Sequence, residues 1–441
     1  MTADPLRWAL AGVLVLLWLA LSAWWLRPVR RVGVSADATL ILYASQTGQA
    51  LELAQMTLRR LLEGGQNAVA MPLGQAEPEQ MAACGQLLVI ASTTGIGEAP
   101  DDARAFVARR EDGAPDLSAT RYTVLALGDR KYEDYCAFGR QVDQWLARAG
   151  ARPLHDRIEV NDLDRESLGR WDRLLDALGA VEAGPPAETL HRPWRIVSRE
   201  HLNPAPAGTA GVPGLFRIVL EPEDGALPGW LAGDLFEIVT PTGHRRDYSI
   251  ASLPGEGHVT LLVREVHDEQ GRRGEGSGLL VEATPLSGSV SARLRDHVPF
   301  HAPSGEGPLL LIAAGSGFAG IRPHAIEAME AGRPVWIILG ERRPDIDVRI
   351  TAEARGWEAE GRLARLDLAY SRLGEGQGRY VQHVVAERAV DIADYLGSQG
   401  AIMLCGGLAM GKEVEAAVET ALGASWATNA RNDGRYHADL Y

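Results

Sequence analysis

Three short segments rich in small hydroxylated residues and glycine stand out as able to hold a phosphate and a planar ring. SQTGQA (Ser45–Ala50) follows the apolar run TLILYA and precedes a helix-like stretch. Backbone N–H groups and hydroxyls at such a strand-to-helix turn can wrap an anion. No lysine accompanies it, so the loop suits a bound mononucleotide better than ATP hydrolysis. STTGIGEAP (Ser92–Pro100) and LGDRKYEDYC (Leu127–Cys136) follow the next two apolar runs, QLLVIAS and YTVLALG. Loops at the carboxyl ends of neighbouring parallel strands are where ligands bind in such folds.

A second group lies farther on. RDYSIAS (Arg246–Ser252) offers an arginine for a pyrophosphate and a tyrosine for a ring, and GEGSGLL (Gly274–Leu280) offers a helix start made of small residues. AAGSGFAGIR (Ala313–Arg322) follows a buried strand and reads as a dinucleotide loop whose glycines permit close backbone approach. In AYSR (Ala369–Arg372) and RYVQ (Arg379–Gln382), an arginine beside a serine suits a ribose 2′-phosphate and a tyrosine suits adenine. Cys405 in MLCGG and Asp439 and Tyr441 in the terminal RYHADLY complete the set.

The elements that must position these residues follow from patterning. Residues 39–181 alternate short apolar runs with helix-like stretches, as a doubly wound parallel sheet does. AGPPAE (Ala183–Glu188) marks a linker over 182–192. Residues 193–304 read as short strands between Gly/Pro turns, an antiparallel β-barrel pattern. Residues 305–441 return to α/β alternation, so the fold class is α/β multidomain.

Ahead of them, Trp8–Leu26 carries no charge and no proline. Nineteen residues rising about 1.5 Å each span roughly 28 Å, a bilayer's hydrocarbon thickness. Trp24 and Trp25 sit where an aromatic belt would lie, and Arg27, Arg30 and Arg31 follow. A single-pass anchor over 8–26 is expected, with a tether over 27–38 and the catalytic bulk on the cytoplasmic side of the inner (plasma) membrane. A cleaved signal peptide is the competing reading, but its basic residues would precede a shorter apolar core.

The formal net charge of −14 argues against a nucleic-acid partner, because neutralising phosphates needs a basic surface. It suits docking on a basic protein patch, or simply solubility. Three cysteines without paired spacing exclude a disulfide framework or a Cys-only metal site, so no metal is expected. A reducing compartment fits.

In these motifs the chain resembles the diflavin reductases, most closely the sulfite reductase flavoprotein type. The resemblance covers residues 39–441 and implies a flavodoxin-like FMN domain joined to a ferredoxin–NADP reductase-like module for FAD and NADPH, with the family's helical connecting domain mostly absent. It assigns Ser45, Gln46, Thr47, Gly48, Gln49 and Ala50 to the FMN phosphate. Ser92, Thr93, Thr94, Gly95, Leu127, Gly128, Asp129, Cys136 and Asp162 fall around the ring, and Tyr132 stacks on it. Many relatives carry an aromatic at Thr94. FAD falls to Arg246, Asp247, Tyr248, Ser249, Gly274, Gly276 and Ser277. NADPH falls to Gly315, Ser316, Gly317, Arg322, Ser371, Arg372, Tyr380 and Gln382, with Gly320 where the family has proline and Gly378 where a basic residue is common. Ser249, Cys405, Asp439 and Tyr441 would surround the transferring hydride, and Gly407 stands where the family has aspartate.

The expected activity is electron transfer from NADPH through FAD and FMN to a redox acceptor, a haem or iron protein, with an integral-membrane partner among the options. The alternatives are a sulfite reductase flavoprotein component, a reductase feeding a membrane iron or ferric-siderophore system, and a non-catalytic interaction protein with decayed nucleotide sites.

Overall fold

The computed structural model describes residues 38–46, 48–93, 97–109, 115–130, 134–182, 190–204, 212–268, 270–303, 305–373 and 378–441. The expected span at 8–26, most of the tether and most of the linker lie outside the described residues.

The first apolar runs form β1 (Thr39–Ala44), β2 (Ala68–Pro72), β3 (Gln86–Ser92), β4 (Arg121–Gly128), β5 (Arg152–Pro153) and β6 (Ile158–Asn161). They pair in parallel in the order β2-β1-β3-β4-β5, with β6 also on β4. Successive residues of each strand point to opposite faces, and both faces are covered. Leu40, Leu42, Leu87, Val89 and Val124 enter one core, while Ile41, Leu88, Ile90 and Leu125 enter the other. This explains near-continuous apolar strands rather than alternating ones. The flanking helices include α1 (Gln49–Glu63), α2 (Ala137–Arg148) and α3 (Arg165–Ala177).

The second sheet is antiparallel. It comprises β7 (Arg192–His201), β8 (Leu215–Pro222), β9 (Leu235–Val239), β10 (Arg245–Ser249), β11 (Val259–Arg264) and β12 (Ser289–Arg295). Their order is β10-β9-β12-β7-β8-β11. One face collects Trp194, Ile196, Ile218, Phe236 and Leu261 into a core. The edge strands β10 and β11 meet through one bridge, Ile250 with Leu261, rather than through a ladder. The sheet therefore curls toward the expected barrel without a full closing ladder.

The third sheet is again parallel, with β13 (Leu309–Ala314), β14 (Val335–Glu341), β15 (Arg365–Tyr370), β16 (Ala401–Gly406) and β17 (Tyr436–Leu440) in the order β15-β14-β13-β16-β17. Helices α4 (Phe318–Glu330), α5 (Val348–Ala359), α6 (Val381–Glu387) and α7 (Leu408–Leu422) belong to this part. Both parallel sheets reverse direction of growth beside their first strand, between β1 and β3 and between β13 and β16, which creates a crevice at the carboxyl edge.

Candidate functional site

The loop after β1 is shaped to receive an anion. Gly48 has φ +86°, and a Cβ there would lie 3.2 Å from Arg295 Nη1 and 3.3 Å from the Asp296 carbonyl. Only glycine fits that approach without strain. Ser45 Oγ is buried without a hydrogen-bond partner, and the Ser45 N–H already donates to the Asp102 carboxylate at 3.0 Å. An orphaned hydroxyl at the entrance of such a loop is what a phosphate oxygen satisfies. Ala50 is buried in the first turn of α1. The neighbouring loops are tied to one another. Thr93 Oγ1 accepts from the Phe138 N–H at 3.3 Å, the Asp162 N–H donates to the Gly128 carbonyl at 2.9 Å, and Asn161 accepts from the Arg130 N–H at 2.9 Å. Asp162 and Leu163 adopt φ +49° and +56°, a left-handed pair of non-glycine residues.

The two halves of the second motif group meet in space. A Cβ on Gly276 would stand 2.8 Å from Arg246 Cγ and 2.9 Å from Tyr248 Oη, so GEGS packs directly on RDYS. Ser277 Oγ accepts from the Val266 N–H at 3.2 Å and donates to the Gly274 carbonyl at 3.3 Å, which holds the turn. Arg246 forms an ion pair with Asp162 at 2.8 Å. Asp247 pairs with Arg295 at 2.6 Å.

Ser249, at the end of β10, donates its hydroxyl to Asp439 Oδ2 at 3.0 Å, and Cys405 Sγ lies 3.7 Å from the same oxygen. Burial, reinforced by the Asp439 carboxylate, pushes the Cys405 thiol well above its ordinary range, so it is present as the thiol. Gly320 explains one departure noted in the sequence. A Cβ there would sit 2.6 Å from Cys405 Sγ, so the missing side chain leaves room for the thiol. Tyr441 is half exposed, and its hydroxyl lies 2.9 Å from Ser316 Oγ.

Residues from each of these groups, though not Ser45, Gly48, Ala50 or the fully buried Cys405, border one cavity of about 630 Å³. Its wall takes Gln46, Gln49, Ser92, Thr93, Leu127, Gly128, Asp129 and Asp162 from the first sheet and Arg246, Asp247, Tyr248, Ser249, Gly274, Gly276 and Ser277 from the second. Ser316, Asp439 and Tyr441 come from the third. Contacts across the sheets hold this arrangement. Arg293, 4% exposed, grips Glu52 at 2.8 and 2.7 Å and Glu237 at 2.8 Å. Gln46 Nε2 donates to the Ala438 carbonyl at 3.5 Å, and Lys412 meets Glu98 at 3.2 Å.

Other residues singled out in the sequence lie elsewhere. Cys136 is fully buried, and its thiol donates to the Ala126 carbonyl at 3.2 Å inside the first core. Arg322 turns away from the cavity, pairing with Glu256 and Glu353 at 2.8 Å each and donating to the Ala251 carbonyl at 2.7 Å. Gly315 and Gly317 form the turn after β13, where a Cβ on Gly317 would meet the Cys405 carbonyl at 2.2 Å. Ser371 and Arg372 sit two strands away, beyond β15, with the Ser371 N–H donating to the Glu341 carbonyl at 2.9 Å. Tyr380 is half exposed, and Gln382 Oε1 is buried without a partner. Gly378 must be small, since a Cβ would lie 2.4 Å from the Ser371 carbonyl. Thr47, Thr94, Gly95 and Tyr132 lie outside the described residues. Arg264 on the cavity wall, and Arg293 behind it, escaped the motif reading. The one signal for Arg264 is a charge ending the apolar strand VTLLV.

The flavodoxin family matches residues 41–171. The sulfite reductase [NADPH] flavoprotein alpha-component of Thiocapsa roseopersicina is 27% identical, over 87% of this chain and 84% of its own. The protein of that name in Bacillus subtilis is 26% identical, over 85% of this chain and 82% of its own. That of an Escherichia coli strain is 25% identical, over 91% and 89%. The flavodoxin match and the relatives aligned along most of the chain support the diflavin reductase family. As a diflavin reductase it is an NADPH-dependent flavoprotein oxidoreductase whose cofactors are FMN, FAD and NADPH. The Bacillus alignment runs over 504 positions, more than the 441 residues of this chain, so that relative carries segments this diflavin reductase lacks.

These findings also correct the expected inner-membrane location. Among the described residues no helix is long and apolar enough to cross a membrane, and the relatives that align along the chain carry the name of a sulfite reductase component.

The residues present fit the three groups. Orphaned Ser45 Oγ and the Gly48 turn suit a phosphate; the Arg246–Gly276 contact suits a pyrophosphate and ring; orphaned Gln382 Oε1 and the Gly315–Gly317 turn suit a dinucleotide.

Proposed function

We propose that this diflavin reductase serves as the flavoprotein component of a sulfite-reducing system, delivering electrons from NADPH to a haem or iron protein partner. The names of its relatives support that acceptor class over the iron or siderophore alternative. One observation carries the internal route: loops of the first sheet, the β10 motif and the terminal Asp439–Tyr441 segment line a single cavity. We assign residues 39–181 to the FMN unit, 193–304 to the FAD unit and 305–441 to the NADPH unit.

Bound flavins would supply the hydride acceptance and one-electron transfer that side chains cannot. The chain's own residues do the rest. Tyr441 covers the place where the nicotinamide must lie, so it swings aside and exchanges its Ser316 hydrogen bond for solvent. Ser249, held by Asp439, presents a fixed hydroxyl dipole, and the Asp439 carboxylate offers a negative charge where the nicotinamide becomes positive on losing hydride. Cys405, kept as a thiol, packs the same spot without adding charge.

Anaerobic titration of the flavin-loaded protein with NADPH tests the route. Uptake of about four electrons per chain is expected from two communicating flavins. Uptake of only two leaves a single-flavin reductase and ends the proposal. The acceptor is tested by mixing the reduced protein with a haem-containing sulfite-reducing subunit. Sulfide formation that needs both proteins supports the reading, and none overturns it.

A further inference from the structure

A charge cluster at the edge of the nucleotide loop plays no part in the hydride site. Glu341 is the last residue of β14; its side chain is 1% exposed, and neither carboxylate oxygen has a hydrogen-bond partner. Arg264, at the end of β11, brings Nη2 to 3.9 Å from Glu341 Oε2, while its Nη1 is buried and unpartnered. The same Nη2 lies 2.6 Å from where a Cβ on Gly315 would stand, so the guanidinium lies directly over the glycine turn. The pair joins two different sheets.

Among the described residues, few other charges face Glu341. Arg342 follows it in the chain, and Asp347 precedes α5. Asp347 is partly satisfied, its Oδ2 accepting from the N–H groups of Arg342 and Arg343 at 3.0 and 2.8 Å. Arg264 and Arg372 both repel Arg342, which burial has already lowered, so three guanidinium groups share one neighbourhood. Burial pushes the Glu341 carboxyl up to about 8; Arg264 pulls it down and Asp347 pushes it further up. Two arginines facing one buried acid, a third beside them, and a guanidinium over a glycine turn whose other terminal nitrogen has no partner make a site built for phosphate oxygens.

We propose that Glu341 is a positioning residue for the nicotinamide nucleotide, leaving Arg264 free for the bridging phosphates when neutral and drawing its guanidinium away when ionised. The inference rests on the reading of this region as the NADPH unit. It deepens that reading by making nucleotide affinity fall as pH rises through the titration of Glu341. The nucleotide's own 2′-phosphate is already ionised above about pH 7, so the change between pH 7 and 9 belongs to the protein.

The test is calorimetric titration of the full, flavin-loaded chain with NADP⁺, which binds without turnover. In the unaltered protein the Kd is expected to rise about fivefold from pH 7 to 9. In Glu341→Gln it should stay near the pH 7 value throughout. Arg264→Gln should bind more weakly at pH 7 and show no rise. A Glu341→Gln protein whose Kd rises with pH as the parent's does refutes the proposal. So does one weakened equally at every pH, since that marks a purely structural role. Should Glu341→Gln fail to fold, an Arg264→Gln protein that keeps the full rise is equally decisive against it. If the parent binds no NADP⁺ at any pH, the NADPH assignment itself falls, a distinguishable result.

Discussion

Glu52 and Arg293 are 241 positions apart in the chain and join the first sheet's α1 to the second sheet's β12. Arg293 is 4% exposed and also holds Glu237, whereas the Glu52 side chain is 33% exposed. Two unit charges about 4 Å apart attract by about 4 kcal/mol at an effective dielectric of 20. Solvent access at Glu52 screens this to about 1–2 kcal/mol. Glu52→Gln keeps the Arg293–Glu237 pair and should cost about 1 kcal/mol. Arg293→Met leaves Glu237 in the interior with His191 at 2.8 Å and more distant arginines, and should cost about 3 kcal/mol. The double variant should cost less than the sum by the coupling energy, about 1–2 kcal/mol. Urea unfolding of the four proteins measures stability, and stopped-flow reduction measures electron passage between the flavins. If the pair holds the two units in register, the single variants slow that passage while NADPH oxidation is unchanged. Coupling below about 0.3 kcal/mol, or unchanged passage in both variants, refutes the reasoning.

Other perturbations follow from the same geometry. Asp439→Asn should slow hydride transfer by about a hundredfold in stopped-flow absorbance, with a smaller change in NADP⁺ affinity, because it removes charge rather than shape. Truncating the terminal side chain, Tyr441→Ala, removes the Ser316 contact and should tighten NADP⁺ binding and slow its release, as read by calorimetry and turnover. His324 is 1% exposed with neither ring nitrogen partnered, and burial lowers its pKa to about 3. The unfolded chain therefore takes up a proton below pH 6.5 that the folded chain refuses, so stability falls with pH, by about 2 kcal/mol at pH 5. His324→Leu should flatten that loss in urea titrations between pH 7 and 5, and an unchanged slope counts against the argument.

The parallel sheets were legible because strands buried on both faces read as unbroken apolar runs, and Leu40–Leu42 and Leu309–Ile312 show why. The meeting of Ser249, Cys405 and Asp439 was legible only through resemblance, since no local period links positions in β10, β16 and β17. Motif membership misled where it could not tell direction. Arg322 lies on α4 in a nucleotide-loop motif, yet its guanidinium points to Glu256 and Glu353. Cys136 closes a loop motif, but a left-handed turn at φ +54° sends its thiol into the core. Arg293 and Glu341 carried no signature and Arg264 only a charge at the end of an apolar run, because a buried charge is defined by partners that sequence distance hides.

Among the described residues, ties between the first sheet and the rest include Gln46, Gln49 and Glu52 around one turn, Glu98 on the next loop, and Asp162 on the last. Leu163, beside Asp162, pays for a left-handed backbone that a bulky side chain disfavours. Anyone transplanting a foreign flavodoxin unit onto this reductase would inherit a sound sheet and still obtain a poor chimera, unless the graft carried an acid at the position of Glu52 and the unusual turn that aims Asp162 at Arg246. Interchangeability among such modules is thus governed by docking points on α1 and the neighbouring loops rather than by the fold they decorate.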